Sequence, residues 1–138
     1  VTAHRQLHLH CLRGLPREDV RTTITNACRA LRDISQRLSL DIVLLAQLNR
    51  NVAERADKRP TLADLKESSG IEQYASVVLL LHRPEAYDPQ TVDRNITEVI
   101  VAKNRDLITG SFRLLHNLEH MRYQDPPLEG PEKGYLQV

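Results

Sequence analysis

The sequence of 138 residues contains no tryptophan, and only 4% of its residues are aromatic. This argues against a protein that binds nucleic acids by stacking bases on aromatic platforms. Lysine and arginine number 19 against 18 acidic residues, which gives a formal net charge of +1. Any attraction to a polyanion must therefore come from local clusters of basic residues. The hydrophobic content of 41% and the length both suit one ordinary globular domain.

Cysteine is also scarce, because Cys11 and Cys28 are the only two and form no CxxC pair. This usage argues for a reducing compartment and against a disulfide scaffold or a zinc ribbon. No apolar run approaches the roughly 18 residues of a membrane span, and no signal peptide is visible. We therefore expect a cytoplasmic protein with no membrane segment. We also expect no metal site, since no carboxylate or cysteine completes a ligand set around the histidines.

The hydrophobic pattern predicts an α/β fold with a mostly parallel sheet, a C-terminal antiparallel hairpin and one long N-terminal helix. Apolar residues recur at helical spacing from about residue 18 to 38, and the unbroken apolar run at 42–46 predicts a strand buried on both faces. Residues 5–12 alternate weakly, as in a short strand, and Thr61 could begin a short helix through Leu65. The remaining predicted strands are 76–83, which we also expect to be fully buried, 97–104, 110–117 and 120–124, with a loop at 84–94.

Polar groups follow several of these apolar strands at their C-terminal ends. They are Gln47, the pair His82 and Arg83, and the pair Lys103 and Arg105. Open parallel sheets bind ligands outside the carboxyl ends of their strands. The pattern therefore predicts that one edge of the sheet carries the chemistry of this protein.

Several stretches of the sequence resemble those of a known protein family. The stretch "LLAQLNRNVAERADKRPTLADLKESSGIEQYASVVLLLHRPEAYDP", followed by "EVIVAKNRDLITGSFRL" and "RYQD", is similar to the C-terminal RecA-type motor domain of DnaB-like replicative helicases. The resemblance runs from about Glu18 to Asp125. It implies part of a RecA-like P-loop NTPase fold at 17–124, beside a degenerate or non-homologous stretch at 1–16 and a flexible tail at 125–138. It also implies ATP and Mg²⁺ as cofactors of the parent family, and single-stranded DNA, a homo-hexamer, a primase and a helicase loader as partners.

The resemblance assigns catalytic roles to three of the residues at the strand ends. Gln47 corresponds to the glutamine that contacts the γ-phosphate or the attacking water. A neutral amide suits this task because it both donates and accepts hydrogen bonds without a charge that repels the nucleotide. Lys103 and Arg105 correspond to the pair that reaches into the nucleotide site of a neighbouring subunit. Residues two apart on an extended strand point to the same side, which fits this role.

A second group of residues corresponds to the family's single-strand DNA loop, namely Lys66, Glu67, Ser69 and Gly70. Lysine stands where arginine is usual, which keeps the charge but loses the bidentate contact to phosphate. Two further departures follow, because Tyr74 and Ser76 occupy positions where the family usually has aspartate. These changes leave the local hydrogen bonding in question.

Two elements that an ATPase requires are missing from the sequence. No G-x-x-x-x-G-K-[ST] phosphate loop occurs, and Arg5 stands near the position expected for the magnesium-binding aspartate. The family's phosphate-loop strand would lie between the strands seen here. We therefore expect the C-terminal portion of a truncated helicase domain, which does not hydrolyse ATP alone and which folds poorly or associates by itself.

Two alternatives remain open. One is a non-catalytic module for single-stranded DNA binding or subunit docking, derived from the helicase and using the basic residues Arg55, Lys58, Arg59 and Lys66. The other is a different RecA-type ATPase, such as a recombinase or a clock-type protein. The phrase "DKRPTLADLKESSGIEQ" disfavours the second alternative.

Overall fold

The computed structural model describes residues 5–8 and 17–127, with the side chains of residues 21–65 and 70–127. The predictions for residues 1–4, 9–16 and 128–138 lie outside the described residues. Within the described residues, six strands and two α-helices follow one another as β1 (Arg5–His8), α1 (Arg17–Leu38), β2 (Ile42–Leu45), α2 (Ser69–Tyr74), β3 (Val77–His82), β4 (Ile96–Asn104), β5 (Gly110–Asn117) and β6 (Arg122–Gln124). Short 3₁₀ helices occupy Arg50–Glu54, Leu62–Ser68 and Pro84–Ala86. The chain divides into two compact units, residues 1–49 with 62–75 and residues 50–61 with 76–138.

The first unit contains a β–α–β arrangement, of which the sequence pattern clearly predicted the helix and the strand that follows it. Strands β1 and β2 pair in parallel, with Arg5 opposite Ile42 and His8 opposite Leu45. Helix α1 links them and ends where Ser39 adopts a left-handed conformation (φ 49°). The N–H of Leu40 then donates to the carbonyl of Ser35 at 3.0 Å, a bond typical of a helix C-terminal cap.

The second unit is a four-stranded sheet in the order β3-β4-β5-β6, and every neighbouring pair is antiparallel. The predicted mostly parallel sheet is therefore wrong, although the α/β class and the C-terminal hairpin are confirmed. The reason lies in the loop between β3 and β4. The N–H of Asn95 donates to the Glu85 carboxylate at 2.8 Å, which closes the base of this loop and returns the chain beside β3. A parallel connection would need a crossover, usually a helix.

Strand direction also corrects the predicted edge of polar groups. In the β3–β4 pair, His82 lies opposite Glu98, whereas Lys103 lies opposite Val78. The carboxyl ends of these two strands are therefore at opposite ends of the pair, and β2 pairs with β1 in a separate sheet. Within the described residues, the polar groups do not follow neighbouring strands of one parallel sheet.

Strands β2 and β3, which have apolar sequences, are covered on one face only. This contradicts the predicted burial on both faces. On β3, Val78 and Leu80 are buried, while Val77, Leu79 and Leu81 are 48–59% exposed. On β2, two further apolar side chains are about half exposed, Val43 at 52% and Leu45 at 44%. The sequence correctly predicted strands here, but no described element covers their second face.

The cores of the two units are small. Cys28 and Leu65 are buried in the first unit, and burial raises the pKa of the Cys28 thiol. In the second unit the buried side chains come mainly from the edge strand β3 and the central strands β4 and β5. None of the helices in the described part of the chain combines the length and the apolar character of a membrane span.

Candidate nucleotide and single-strand DNA sites

Lys103 and Arg105 lie at the end of β4, beside the beginning of β3. Lys103 lies opposite Val78, and the backbone N–H of Arg105 donates a hydrogen bond of 3.1 Å to the carbonyl of Ser76. Strand β4 itself ends at Asn104, so Arg105 lies one residue beyond the strand and is held to β3 by this backbone hydrogen bond. Lys103 is half-buried, whereas Arg105 is exposed. The backbone of the proposed cationic pair is therefore fixed by β3.

A β-bulge lies directly before Lys103. Val78 pairs with Lys103 but Leu79 pairs with Val101, so that Ala102 is an extra residue in β4. A bulge bends its strand and redirects the neighbouring side chains, and bulges are frequent beside functional sites. The bulge therefore contributes to the direction of Lys103. No local pattern indicates this bulge, because an alanine in an apolar run also fits a regular strand.

Gln47 lies in the first unit, two residues beyond the end of β2, and it is exposed. Its amide supplies a donor and an acceptor without charge, as the sequence analysis required of a group near a triphosphate. The catalytic roles of Gln47, Lys103 and Arg105 stay predictions.

The predicted DNA-binding residues lie where the 3₁₀ helix Leu62–Ser68 meets α2. Lys66 and Glu67 belong to the former, and Ser69 and Gly70 begin the latter. The side chains of residues 66–69 lie outside the described part of the chain. Gly70 is buried, and a Cβ atom on it would lie 2.5 Å from the Cα atom of Thr25. Gly70 thus has a packing role that the sequence analysis missed, beside its predicted contact with DNA.

Tyr74, at the end of α2, is bound by two arginines of α1. The Nε of Arg29 donates to the Tyr74 hydroxyl at 3.1 Å, and the guanidinium carbon lies 5.7 Å from the ring centroid. Arg32 donates to the Tyr74 carbonyl at 3.5 Å. At position 74, therefore, a phenol hydroxyl accepts a hydrogen bond from Arg29, and a cation–π contact with the same arginine accompanies it.

Basic residues of the alternative DNA-binding module have partners inside the second unit. Arg59 donates two hydrogen bonds to the Glu98 carboxylate, at 3.0 and 2.8 Å. This pair lowers the pKa of Glu98 and raises that of Arg59. The Lys58 ammonium lies 5.4 Å from the ring centroid of Tyr87. Their charges are therefore partly committed to the fold, which weakens their assignment to DNA.

A buried polar network that the sequence analysis missed joins β4, β5 and the loop after β3. The His116 side chain is 1% exposed, and its ring nitrogens lie 2.9 Å from the Thr97 hydroxyl and 2.7 Å from the Glu85 carboxylate. Glu85 also accepts from the Asn95 N–H at 2.8 Å and from Arg83 at 2.7 Å. These donors, chiefly the Asn95 N–H, lower the pKa of Glu85 to about 2. The sequence signal was slight, a single histidine within an apolar strand.

The residues present fit only part of an ATP–Mg²⁺ site. An uncharged amide and two cations suit contacts with terminal phosphate oxygens. Magnesium at nucleotide sites is usually bound through one or two carboxylates together with substrate phosphates. Strand β1, with the sequence Arg-Gln-Leu-His, supplies no carboxylate. The chain also has no phosphate loop. We therefore derive no hydrolytic step from these residues alone.

Comparison with known sequences identifies relatives of this chain. The family model of the DnaB-like helicase C-terminal domain matches residues 8–125. The replicative DNA helicase DnaC of Bacillus subtilis (strain 168) is 34% identical over 110 residues, which are 80% of this chain and 24% of that protein. The replicative DNA helicase DnaB of Mycobacterium leprae (strain TN) is 37% identical over 106 residues, 77% of this chain and 18% of that protein. The chain therefore spans about a quarter or less of the length of these relatives.

Two solved structures resemble the fold. A solved ATPase domain superimposes with a TM-score of 0.76 and 34% identity. The match covers 84% of this chain and 40% of the chain of that domain. A structure of a DnaB-like replicative helicase and its interactions with primase gives a TM-score of 0.75 and 36% identity. The match covers 77% of this chain and 25% of that helicase chain. The fold is thus that of part of a DnaB-type ATPase domain, which is an α/β domain. The chain belongs to the family of DnaB-like helicase C-terminal domains, and the resemblance noted in the sequence is confirmed.

Proposed function

We propose that this chain provides the phosphate-sensing, trans-acting and DNA-contacting residues of an ATP-driven replicative DNA helicase. Gln47 contacts the γ-phosphate or the attacking water. Lys103 and Arg105 reach the nucleotide site of a neighbouring subunit, and residues 66–70 contact the backbone of single-stranded DNA. The observation that carries this proposal is the family match over residues 8–125, which includes every one of these positions.

The geometry of β4 supports the role of the cationic pair. Backbone pairing with β3 at Lys103 and a backbone hydrogen bond at Arg105 hold this segment in place, and the Arg105 side chain is exposed. Cations held against γ-phosphate oxygens stabilise the charge that spreads over them in the transition state. The phosphate loop and the magnesium carboxylate are absent from the 138 residues, so that other parts of the helicase supply them. The chain by itself then hydrolyses no ATP.

Hydrolysis in a chimera tests the catalytic roles. Residues 8–125 replace the matching segment of the Bacillus subtilis helicase, and DNA-stimulated ATP turnover is measured. We expect Lys103→Ala or Arg105→Ala to lower turnover by about 10³-fold or more, as expected for a cation supplied in trans. Arg113→Ala is the matched control, since this exposed arginine on β5 pairs with Asp93. Equal turnover in all variants, or hydrolysis by the 138-residue chain alone, would contradict the proposal.

Salt-dependent binding to single-stranded DNA tests the contact with residues 66–70. Affinity for fluorescent oligo-dT is measured from 50 to 200 mM salt, a range in which phosphate contacts are strongly weakened. We expect binding without sequence preference, and Lys66→Ala should reduce the salt slope by about one. Lys66→Arg should tighten binding, because arginine forms a bidentate contact with phosphate. Arg37→Ala, an exposed arginine in the last turn of α1, is the control. An affinity indifferent to salt would refute this contact.

The proposal extends to the assembly of the parent protein. One similar structure shows a DnaB-like helicase and its interactions with primase. We propose that this chain works in the cytoplasm within a homo-hexamer that meets a primase and a helicase loader, with ATP and Mg²⁺ bound between subunits. Light scattering on the chimera checks this part, and a chimera that stays monomeric with ATP present would count against it.

A further inference from the structure

Helix α2 depends on α1 for its position. It has only six residues, from Ser69 to Tyr74, and an isolated helix of that length is not stable in water. Two contacts with α1 are one helical turn apart on both helices, Gly70 against Thr25 and Tyr74 against Arg29. The two helices therefore meet in a fixed register, with a contact at each end of α2.

The two contacts differ in chemistry. At Gly70 the absence of a side chain lets the α2 backbone approach Thr25 more closely than any Cβ atom would allow. At Tyr74 the Arg29 guanidinium makes two contacts. Its Nε donates a hydrogen bond to the hydroxyl, and its central carbon lies 5.7 Å from the ring centroid, which is a cation–π contact. Arginine combines a planar face for stacking with donors along its edge, which lysine does not. The Arg32 bond to the Tyr74 carbonyl adds a third link to the same end.

We propose that Arg29 and Tyr74 form a clamp that positions residues 66–70 for contact with single-stranded DNA. This inference rests on the proposed DNA-binding function of that segment. Residues 66–68 end the 3₁₀ helix and residues 69–70 begin α2, so the path of the segment is set by where α2 lies on α1. Arg29 acts through Tyr74, and it is a positioning residue, with no contact to phosphate of its own.

The hydroxyl and the ring of Tyr74 can be tested separately by substitution. An aspartate at position 74 could also accept a charge-assisted hydrogen bond from Arg29. Tyr74→Asp should therefore preserve the clamp by a different bond, whereas Tyr74→Ala removes both the hydroxyl and the ring. Tyr74→Phe keeps the ring contact alone and should give an intermediate result.

The first measurement is amide hydrogen exchange of residues 66–74 in the full chain without DNA. We expect exchange to accelerate about tenfold or more in Tyr74→Ala and Arg29→Gln, because local opening becomes easier when one of two contacts is lost. Tyr74→Asp should exchange like the wild type. Equal exchange rates in the wild type and in these three variants would show that no clamp exists, independently of whether the chain binds DNA.

The second measurement is the affinity for oligo-dT as a function of salt. We expect Tyr74→Ala and Arg29→Gln to weaken binding about three- to tenfold, the equivalent of one lost hydrogen bond with a cation–π contact. The salt slope should stay unchanged in both, in contrast to Lys66→Ala. A slope reduced by about one in Arg29→Gln would make Arg29 a phosphate contact and overturn the positioning role. Unchanged affinity despite faster exchange would overturn it too.

The two measurements separate this inference from the proposed function. A wild-type chain that binds no DNA would refute both the DNA-binding proposal and the positioning role, while the exchange data would still decide whether the clamp exists. A chain that binds DNA, loses affinity in Lys66→Ala and keeps it in Arg29→Gln would leave the proposed function standing and refute only the clamp's role.

Discussion

The substitution Gly70→Ala sets helix propensity against packing, and the two predict opposite signs. Within a helix, alanine is more stable than glycine by about 0.8–1.0 kcal/mol. The added Cβ atom, however, would lie 2.5 Å from the Cα atom of Thr25, 2.7 Å from its hydroxyl oxygen and 2.9 Å from its Cβ. The nearest of these atoms belongs to the backbone and cannot rotate away. Helices α1 and α2 must therefore separate by roughly 1 Å to reach ordinary carbon–carbon contact.

Overpacking of this kind destabilises proteins by about 1–3 kcal/mol. After the gain in propensity is subtracted, we expect Gly70→Ala to lower the free energy of unfolding by about 1 kcal/mol, within a range of roughly 0–2 kcal/mol. Urea denaturation followed by circular dichroism measures this change as a lower midpoint at a constant slope. The control is Asn26→Ala on α1, where the exposed side chain makes the propensity gain visible without a clash.

A second substitution tests the origin of the effect. Thr25→Ala removes the hydroxyl that would meet the new methyl group but leaves the Cα atom of residue 25 in place. Combined with Gly70→Ala, it should restore only part of the lost stability. Gly70→Ala proteins that are more stable than the wild type would refute the close approach of the two helices. Full restoration by Thr25→Ala would show that only a flexible side chain was in the way.

Three further predictions concern the second unit. Thr97→Val should lower the free energy of unfolding by about 1–3 kcal/mol, because it leaves a buried ring nitrogen of His116 unpaired; urea denaturation measures this, with the exposed Thr109→Val as control. The pKa of Glu85 is about 2 against an ordinary value of 4.5, so its contribution to stability is complete above pH 4.5 and is lost as the pH falls towards 2. Acid denaturation of Glu85→Gln should lack this part of the pH dependence. Leu79→Thr should reduce self-association in sedimentation experiments and change stability by less than about 1 kcal/mol, since this side chain is already 54% exposed.

Local patterns predicted the elements whose stability is local. Helix α1 shows an apolar face, acidic residues in its first turn and a basic residue in its last, and its predicted span agrees with the structure to within one residue. Strand β5 was predicted with its observed bounds. Helix α2 was missed, because Gly70 in the sequence is typical of a helix end. The packing role of Gly70 depends on Thr25, which lies 45 residues away in the sequence. A local sequence pattern therefore cannot indicate this contact.

The direction of β4 could not be predicted for a related reason. An apolar run indicates that a strand is covered, but it carries no information on whether its neighbour runs parallel or antiparallel. The direction follows from the closed loop before β4, which depends on the Glu85 carboxylate meeting the Asn95 N–H ten residues later. The identities of Gln47, Lys103 and Arg105 came from the family resemblance. The bulge that directs Lys103 had no counterpart in the sequence.

The exposed faces of β2 and β3 explain why a strand can be predicted correctly while its burial is predicted wrongly. Strand β3 reads Val-Val-Leu-Leu-Leu-His, with no acidic residue, lysine or proline that would protect an open edge from pairing. Each half-exposed Val or Leu would contribute about 1 kcal/mol if covered. The three on β3 together match a sizeable part of a domain's net stability of about 5–15 kcal/mol. Such a strand is suited to a sheet covered on both faces, and the similar solved ATPase domain has a chain of which this one covers only 40%. The stability of the matched region, and hence the rigidity of the β3–β4 pair that carries Lys103 and Arg105, should therefore be higher within the chimeric helicase than in the 138-residue chain.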